Sequence, residues 1–247
     1  MTWWATNLPK EKHCFFDANG GVSSGFYKGL NVNTKSDDDK THLKTNLQKT
    51  AQYFGLEYKN LHLLNQGVSA DVVYVGEPTQ DEIFADGAVT DKSGVILCIR
   101  TADCAPVLLA DYQNGVIGAA HAGWRGAYKG VIENTVALML EKGAQAENIV
   151  AAVGPCIAQK SYEIDKTFYD TIGQDKYFIA GREGHWYFDL EGYCVDKLRL
   201  CGIRNIVASG IDTYDENNGF YSFRRFSHQN LIKRAKCFPT EMSAIVL

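Results

Sequence analysis

Residues 101–126, TADCAPVLLADYQNGVIGAAHAGWRG, constrain the fold more than any other stretch: apolar strand, turn, apolar strand and helix entry follow without a break. The polar exceptions gather at the ends. Asp103 and Cys104 precede the first strand, and His121 and Arg125 follow the second. A thiol and an imidazole at strand ends are the donors of a metal site or of a nucleophile–base pair. Gly123 and Gly126 let the backbone approach a ligand closely, and the Arg125 guanidinium suits an anion such as phosphate. Against this, a cysteine beside an apolar run is more often a small buried hydrophobe, and a histidine near Trp124 a structural residue. A two-residue hairpin turn at Asn114-Gly115 would set Cys104 opposite Arg125 and His121 opposite Leu108. On that register, thiol and imidazole meet only if the chain before Pro106 leaves the ladder and folds back.

The 247 residues are 45% hydrophobic and 22% charged, ordinary for a globular protein and sufficient for a large core. The net charge of -4 and the lack of a basic stripe argue against nucleic acid as a partner; the isolated Arg224-Arg225 pair does not change this. Seven scattered cysteines, an odd number without a CxxC, argue for free thiols in a reducing compartment. The opening MTWWATNLPKEKH has no long apolar run, and nothing reaches the roughly 20 residues that span a bilayer. A cytoplasmic protein without a membrane partner is expected.

In chain order, residues 13–17 read as a strand, followed by glycine-rich turns in GGVSSGFYKGLNVN that match neither GxGxxG nor a P-loop. The acidic run 37–39 caps a helix carrying Leu43, Leu47, Ala51 and Phe54 at helical spacing, with Gly55 as its stop. Residues 61–64 and 72–75 read as strands about a turn at 65–67, Asp86 as part of a polar loop, and 95–99 as a buried strand. Tyr128, Val131, Thr135, Leu138 and Met139 form one helical stripe ending at Gly143. Its N-terminus favours an anion near His121 and Arg125. Residues 149–153 and 203–209 read as strands, 189–201 as a helix and 244–247 as a final strand. Cys156, on a Gly-Pro turn, reads as a buried structural thiol. ENIVAAVG and RNIVASG share Asn-Ile-Val-Ala, a weak internal echo. Strands dominate early and helix–strand alternation begins midway, which favours an α+β fold over a doubly wound sheet.

TADCAPVLLAD, AAHAGWRG, GPCI…YE and FYSFRR, with GGVSSGFYKGLNV near the start, resemble the YfiH-like laccase-domain family. Its members are known as purine nucleoside phosphorylases and formerly went under the name of multicopper polyphenol oxidases. The resemblance runs from about Phe15 to Leu247. It implies one α+β domain over residues 1–247, with mixed sheets flanked by helices (a YfiH-like, CNF1-like fold). It also implies phosphorolysis of adenosine, inosine and methylthioadenosine, with adenosine deamination as a side activity. The family metal, usually taken as zinc, is held by one Cys and two His. By motif these are Cys104 and His121, 121 − 104 = 17 residues apart, with the third position falling on Val68 in Asn65-Gln66-Gly67-Val68, where the family has Gln-Val-His. Valine cannot bind a metal, so an incomplete zinc site is expected; His62 is the nearest substitute in sequence. Asn19 and Asp212 are smaller departures, standing where the family commonly has Arg and Cys.

The resemblance makes Cys104, His121 and Arg125 the catalytic candidates and Gln66, Arg125 and Arg224 the substrate-binding ones, for a purine nucleoside and phosphate. Two rivals stand beside this reading: a hydrolase in which His121 activates a Cys104 nucleophile, and a purine-binding member without catalysis. Copper oxidase chemistry is the weakest candidate, because only six scattered histidines are present. The oligomeric state is left open.

Overall fold

A computed structural model of the chain describes residues 2–77, 83–232 and 237–247. In chain order the elements are β1 (His13–Phe15), α1 (Lys40–Tyr53), β2 (Leu61–Leu63), β3 (Val72–Tyr74), β4 (Gly87–Thr90), β5 (Ile96–Thr101), β6 (Ala105–Asp111), β7 (Val116–Ala122), α2 (Trp124–Lys129) and α3 (Val131–Glu141). There follow β8 (Val150–Val153), β9 (Glu163–Asp165), α4 (Lys166–Ile172), β10 (Phe178–Ala180), β11 (His185–Phe188), α5 (Leu190–Leu200), β12 (Asn205–Ala208), α6 (Phe223–His228) and β13 (Glu241–Ile245).

The apolar hairpin β6–β7 is buried at all seven positions of each strand, so it needs cover on both faces. It sits inside a six-stranded mixed sheet of order β12-β8-β6-β7-β4-β3. Alternation divides its side chains between two layers. Val107, Leu109, Ala120 and Ala122 pack with Val131, Val136, Met139 and Leu198 of the helices. Leu108, Ala110, Ile117 and Ala119 pack with Leu97, Ile99 and Ile245 of a four-stranded sheet of order β1-β13-β5-β2. The far face of that sheet, through Ile96, Cys98, Met242 and Ala244, is covered by Leu47 and Ala51 of α1. The result is helix, sheet, sheet, helix: the α+β arrangement of mixed sheets flanked by helices. A smaller sheet, β10-β11-β9, closes one side with α4. No described helix is long and apolar enough to cross a membrane.

Three local expectations are corrected. The hairpin turn has four residues, not two, because Asp111 pairs with Val116. The Asp111 carboxylate accepts the N–H groups of Gln113 and Asn114, an Asx turn that ends the strand early. His121 therefore lies opposite Pro106 rather than Leu108. The stripe through Tyr128 and Met139 is two helices, since Gly130 at φ 101° breaks it between α2 and α3. Lastly, β2 and β3 are not partners about a turn: β2 joins β5 in one sheet and β3 joins β4 in the other, both in parallel. The connection between them crosses from sheet to sheet, which carries Gln66 and Val68 into the site. The two Asn-Ile-Val-Ala segments contribute to the adjacent parallel strands β8 and β12.

Candidate functional site

The observed register explains why the thiol and imidazole meet. Cys104 lies two residues before Pro106, the cross-strand partner of His121. It is thus a diagonal neighbour on the same face, within reach of side chains. Cys104 and His121 line one cavity of about 250 Å³, together with Gln66, Val68, Thr101 and Thr240. No fold-back of the ladder is needed.

Asp86 organises this corner. It is fully buried just before β4, and its Oδ1 accepts a hydrogen bond from His121 Nδ1 at 2.7 Å. Its Oδ2 accepts the backbone N–H groups of Gly67 at 3.1 Å and Ser69 at 2.6 Å. One carboxylate therefore fixes the imidazole and pins the loop bearing Val68. Burial alone would raise the Asp86 carboxyl. Its hydrogen bond to His121, the charge there and the Ser69 N–H overcome that and hold it well below the usual carboxylate range. Burial alone would lower His121; the nearby Cys104 and the Asp86 hydrogen bond reverse this and raise its pKa to about 10. With Nδ1 engaged, His121 presents only Nε2 to the cavity. Sequence reading missed Asp86, which looked like one acid in a polar loop.

Backbone strain concentrates here. Of the three non-glycine residues with positive φ among the described residues, Val68 (62°) and Asp103 (93°) flank the cavity. Left-handed backbone costs an L-residue about 1–2 kcal/mol, and valine is among the worst suited. Asp103 is held by hydrogen bonds from Thr213 Oγ1 at 2.7 Å and the Arg224 N–H at 2.6 Å. These tie helix α6 to the turn that aims Cys104. The hydroxyls of Thr101 and Thr240, both buried, have no hydrogen-bond partner among the described residues. The remaining cavity candidate, Gln66, has both ends of its amide engaged by the Arg100 backbone.

Gly123 and Gly126 allow close packing within the protein. A Cβ at Gly123 would lie 2.9 Å from Cys104 Sγ and 3.3 Å from Cγ1 of Val68, and one at Gly126 would lie 3.0 Å from the Ser69 carbonyl oxygen. The same contact places Val68 beside Cys104, where the family resemblance puts the third metal ligand. The residues present do not fit a three-ligand zinc site. Cys104 and His121 are two donors, Val68 offers none, and Asp86 is committed to His121 and the loop. His62 gives no substitute: it is fully buried in β2, its ring nitrogens have no partner among the described residues, and it does not line the cavity. Among the described residues no group of three or more His, Cys, Asp or Glu could hold a metal ion.

Arg125 and Arg224 line a different cavity, of about 320 Å³, with Trp124, Tyr162, Glu163 and Phe168. It is close by: Asp103, next to Cys104, accepts the Arg224 N–H at 2.6 Å, and Gly123, which abuts Cys104 Sγ, immediately precedes Trp124 and Arg125. The guanidinium of Arg125 stacks on Trp124 at 4.4 Å and that of Arg224 on Tyr162 at 5.3 Å. With only six residues, α2 is too short to add much of a helix-dipole field. Cys156 is buried, which pushes its thiol well above the ordinary value, in keeping with a structural role. Asp212 accepts the N–H groups of Ala158 and Tyr214, and Asn19 bonds Asp17; both are engaged away from this site.

Comparison with known proteins agrees with this architecture. Residues 12–232 match the family described as multi-copper polyphenol oxidoreductase laccase. The purine nucleoside phosphorylase of Rickettsia prowazekii is 35% identical over 215 residues, covering 85% of this chain and 86% of that protein. That of Deinococcus radiodurans is 38% identical over 220 residues, covering 88% and 85%. The crystal structure of the Bacillus licheniformis hypothetical protein YfiH superposes with a TM-score of 0.87 at 26% identity, covering 95% of this chain and 92% of that one. The chain belongs to the multi-copper polyphenol oxidoreductase laccase family, and within it to the YfiH-like proteins.

Proposed function

We propose that the chain is a purine nucleoside phosphorylase acting on adenosine, inosine and methylthioadenosine. The observation that carries this reading is the placement of two guanidiniums, free of carboxylate partners among the described residues, beside the Cys104–His121 cavity. The relatives' names support the reaction class. A phosphate oxygen attacks C1′ of the nucleoside as the bond from C1′ to the purine nitrogen breaks. The electron pair leaves with the purine, which takes up a proton, and the sugar 1-phosphate forms, ribose 1-phosphate from adenosine or inosine. Arg125 and Arg224 bind the phosphate. His121, oriented by Asp86, presents Nε2, the position from which a proton is passed to the departing base. Cys104 packs against the imidazole and shapes its side of the cavity. No step is assigned to a metal, since the donor set does not suit one. Adenosine deamination, which needs an activated water, is expected to suffer more than phosphorolysis from the missing ligand.

Incubation with inosine and phosphate, then with adenosine alone, tests the proposal. Ribose 1-phosphate with hypoxanthine is expected from the first. Their absence eliminates phosphorolysis. The Asp86–His121–Cys104 sequence of contacts favours a second reading, a thiol hydrolase. That enzyme would release free ribose whether or not phosphate is present. Nucleoside binding without any product would leave a purine-binding module.

Gly123→Ala offers a geometric check. The backbone at residue 123 has φ −68°, open to any residue, so the fold should survive while the added methyl displaces Cys104. Turnover is expected to fall at least about tenfold, toward the ~10²-fold that a 1 Å misplacement costs. Wild-type rates in a folded variant would show that the position of the sulfur does not matter.

A further inference from the structure

Tyr162 lines the two-arginine cavity with a hydroxyl that makes no hydrogen bond to the described residues and is not among the sealed-off polar atoms. Its ring is held firmly. Phe168 and Phe188 pack edge-on at 5.9 Å each, and the Arg224 guanidinium covers a face at 5.3 Å. Its backbone N–H donates to Gln159 and its carbonyl accepts from Phe188. Tyr162 is thus a half-buried tyrosine, held rigidly, whose polar end opens to the cavity and serves nothing among the described residues.

The surroundings point to an anion. Arg125 is exposed, stacked on Trp124 and without a carboxylate partner among the described residues; Trp124 is itself stacked on Phe168 at 4.1 Å. Arg224 directs one N–H to the Glu163 carbonyl at 2.8 Å and has no acidic partner among the described residues for the rest. The two acids of the cavity are already engaged. Glu163 pairs with Arg182 through contacts of 3.1 and 3.0 Å, and Asp165 caps α4 by accepting the Phe168 N–H at 2.9 Å. Two guanidiniums that form no ion pair among the described residues thus face a cavity of about 320 Å³.

We infer that the Tyr162 hydroxyl is the third donor of this anion site and, with Arg125 and Arg224, binds the phosphate co-substrate and the phosphate group of the product. The inference rests on the phosphorylase reading for the identity of the anion, though not for its class. Aromatic stacking orients both guanidiniums so that little ordering remains when a tetrahedral oxyanion arrives. The cavity is larger than inorganic phosphate requires, which leaves space for a pentose to stay attached to the transferred group.

Tyr162→Phe in the full chain is the test, because it removes only an atom that the fold does not use. Two readouts are needed: the phosphate KM in inosine phosphorolysis, and the rise in Tm produced by inorganic phosphate over chloride at equal ionic strength. The phosphate KM is expected to rise about tenfold or more, the scale of one hydrogen bond to a charged group. The inosine KM should stay within about twofold, the phosphate-induced rise in Tm should shrink, and the Tm without phosphate should not move. A phosphate KM equal to wild type overturns the inference, whatever happens to kcat. If the wild-type chain forms no ribose 1-phosphate, the phosphorylase reading fails and the Tm measurement decides alone. A phosphate-induced rise present in wild type and diminished in the variant upholds the anion site; an equal rise in both, or none in either, overturns it.

Discussion

Zinc content should rise toward one ion per chain when Val68 is replaced by histidine, from a wild-type value well below that. Val68 sits beside Cys104, in the wall shared with His121, so an imidazole there completes the Cys and two His that the family resemblance implies. The gain in affinity should exceed the 10–100-fold that even an outer-shell partner contributes, because the new group binds the metal directly. The backbone favours the change. At φ 62° a β-branched residue is strained, whereas histidine is enriched in this region. Val68→His is therefore expected to keep or raise the metal-free Tm. Val68→Ala is the control and should bind no more zinc than wild type. The measurement is metal analysis after dialysis against a weak chelator. Unchanged zinc in folded Val68→His would show that side chain 68 does not reach the pair.

Asp86→Ala should be the most damaging single change at the site. It leaves the Gly67 and Ser69 N–H groups and His121 Nδ1 without an acceptor. Breaking a buried charge pair costs about 3–5 kcal/mol. Losing the group that orients the imidazole should lower turnover by about 10²–10⁴-fold. Asp86→Asn will not rescue it fully, since all three neighbours donate and an amide must turn its own N–H toward one of them. The same pair sets a pH dependence of stability. Asp86 titrates lower in the folded protein than in the unfolded chain, so its contribution is full above about pH 4 and is lost on acidification. His121 titrates higher when folded, so its contribution is full below about pH 6.5 and is lost as pH rises through about 10. Urea unfolding of wild type across this range should show both flanks, and Asp86→Ala should flatten them. Two identical stability profiles would mean that the pair contributes nothing to folding.

Some of this was legible in residue order. The β6–β7 hairpin could be read because an apolar run that excludes water from both strands leaves a strong local signature. Cys104 and His121 stood out as polar residues at the ends of that run, and Asp39, Gly55 and Gly202 marked helix limits that the structure keeps. What failed was arithmetic that depended on a single turn. The Asp111 carboxylate, by taking two turn N–H groups, shifted the ladder by two positions and changed which residues face each other. The continuous helix expected after His121 failed at Gly130, because apolar spacing carries through a left-handed residue that the backbone does not.

Asp86 and Tyr162 show the other limit. Asp86 is 35 positions from His121, and nothing local to FADGAVTD distinguishes a solvated acid from one that anchors an imidazole. Tyr162 gains meaning only when Arg125, 37 residues before it (162 − 125), and Arg224, 62 residues after it (224 − 162), arrive at the same cavity. Residue order alone determined the family, the α+β class and the chemical types at the hairpin ends, because these are written in element order and short motifs; the mixed sheets were implied by the family resemblance. Tertiary structure alone decided the register that joins Cys104 to His121, the separation of the arginines into their own cavity and the position of Val68 against the thiol. Those outcomes depend on which distant groups satisfy each other's hydrogen bonds and charges once water has been excluded.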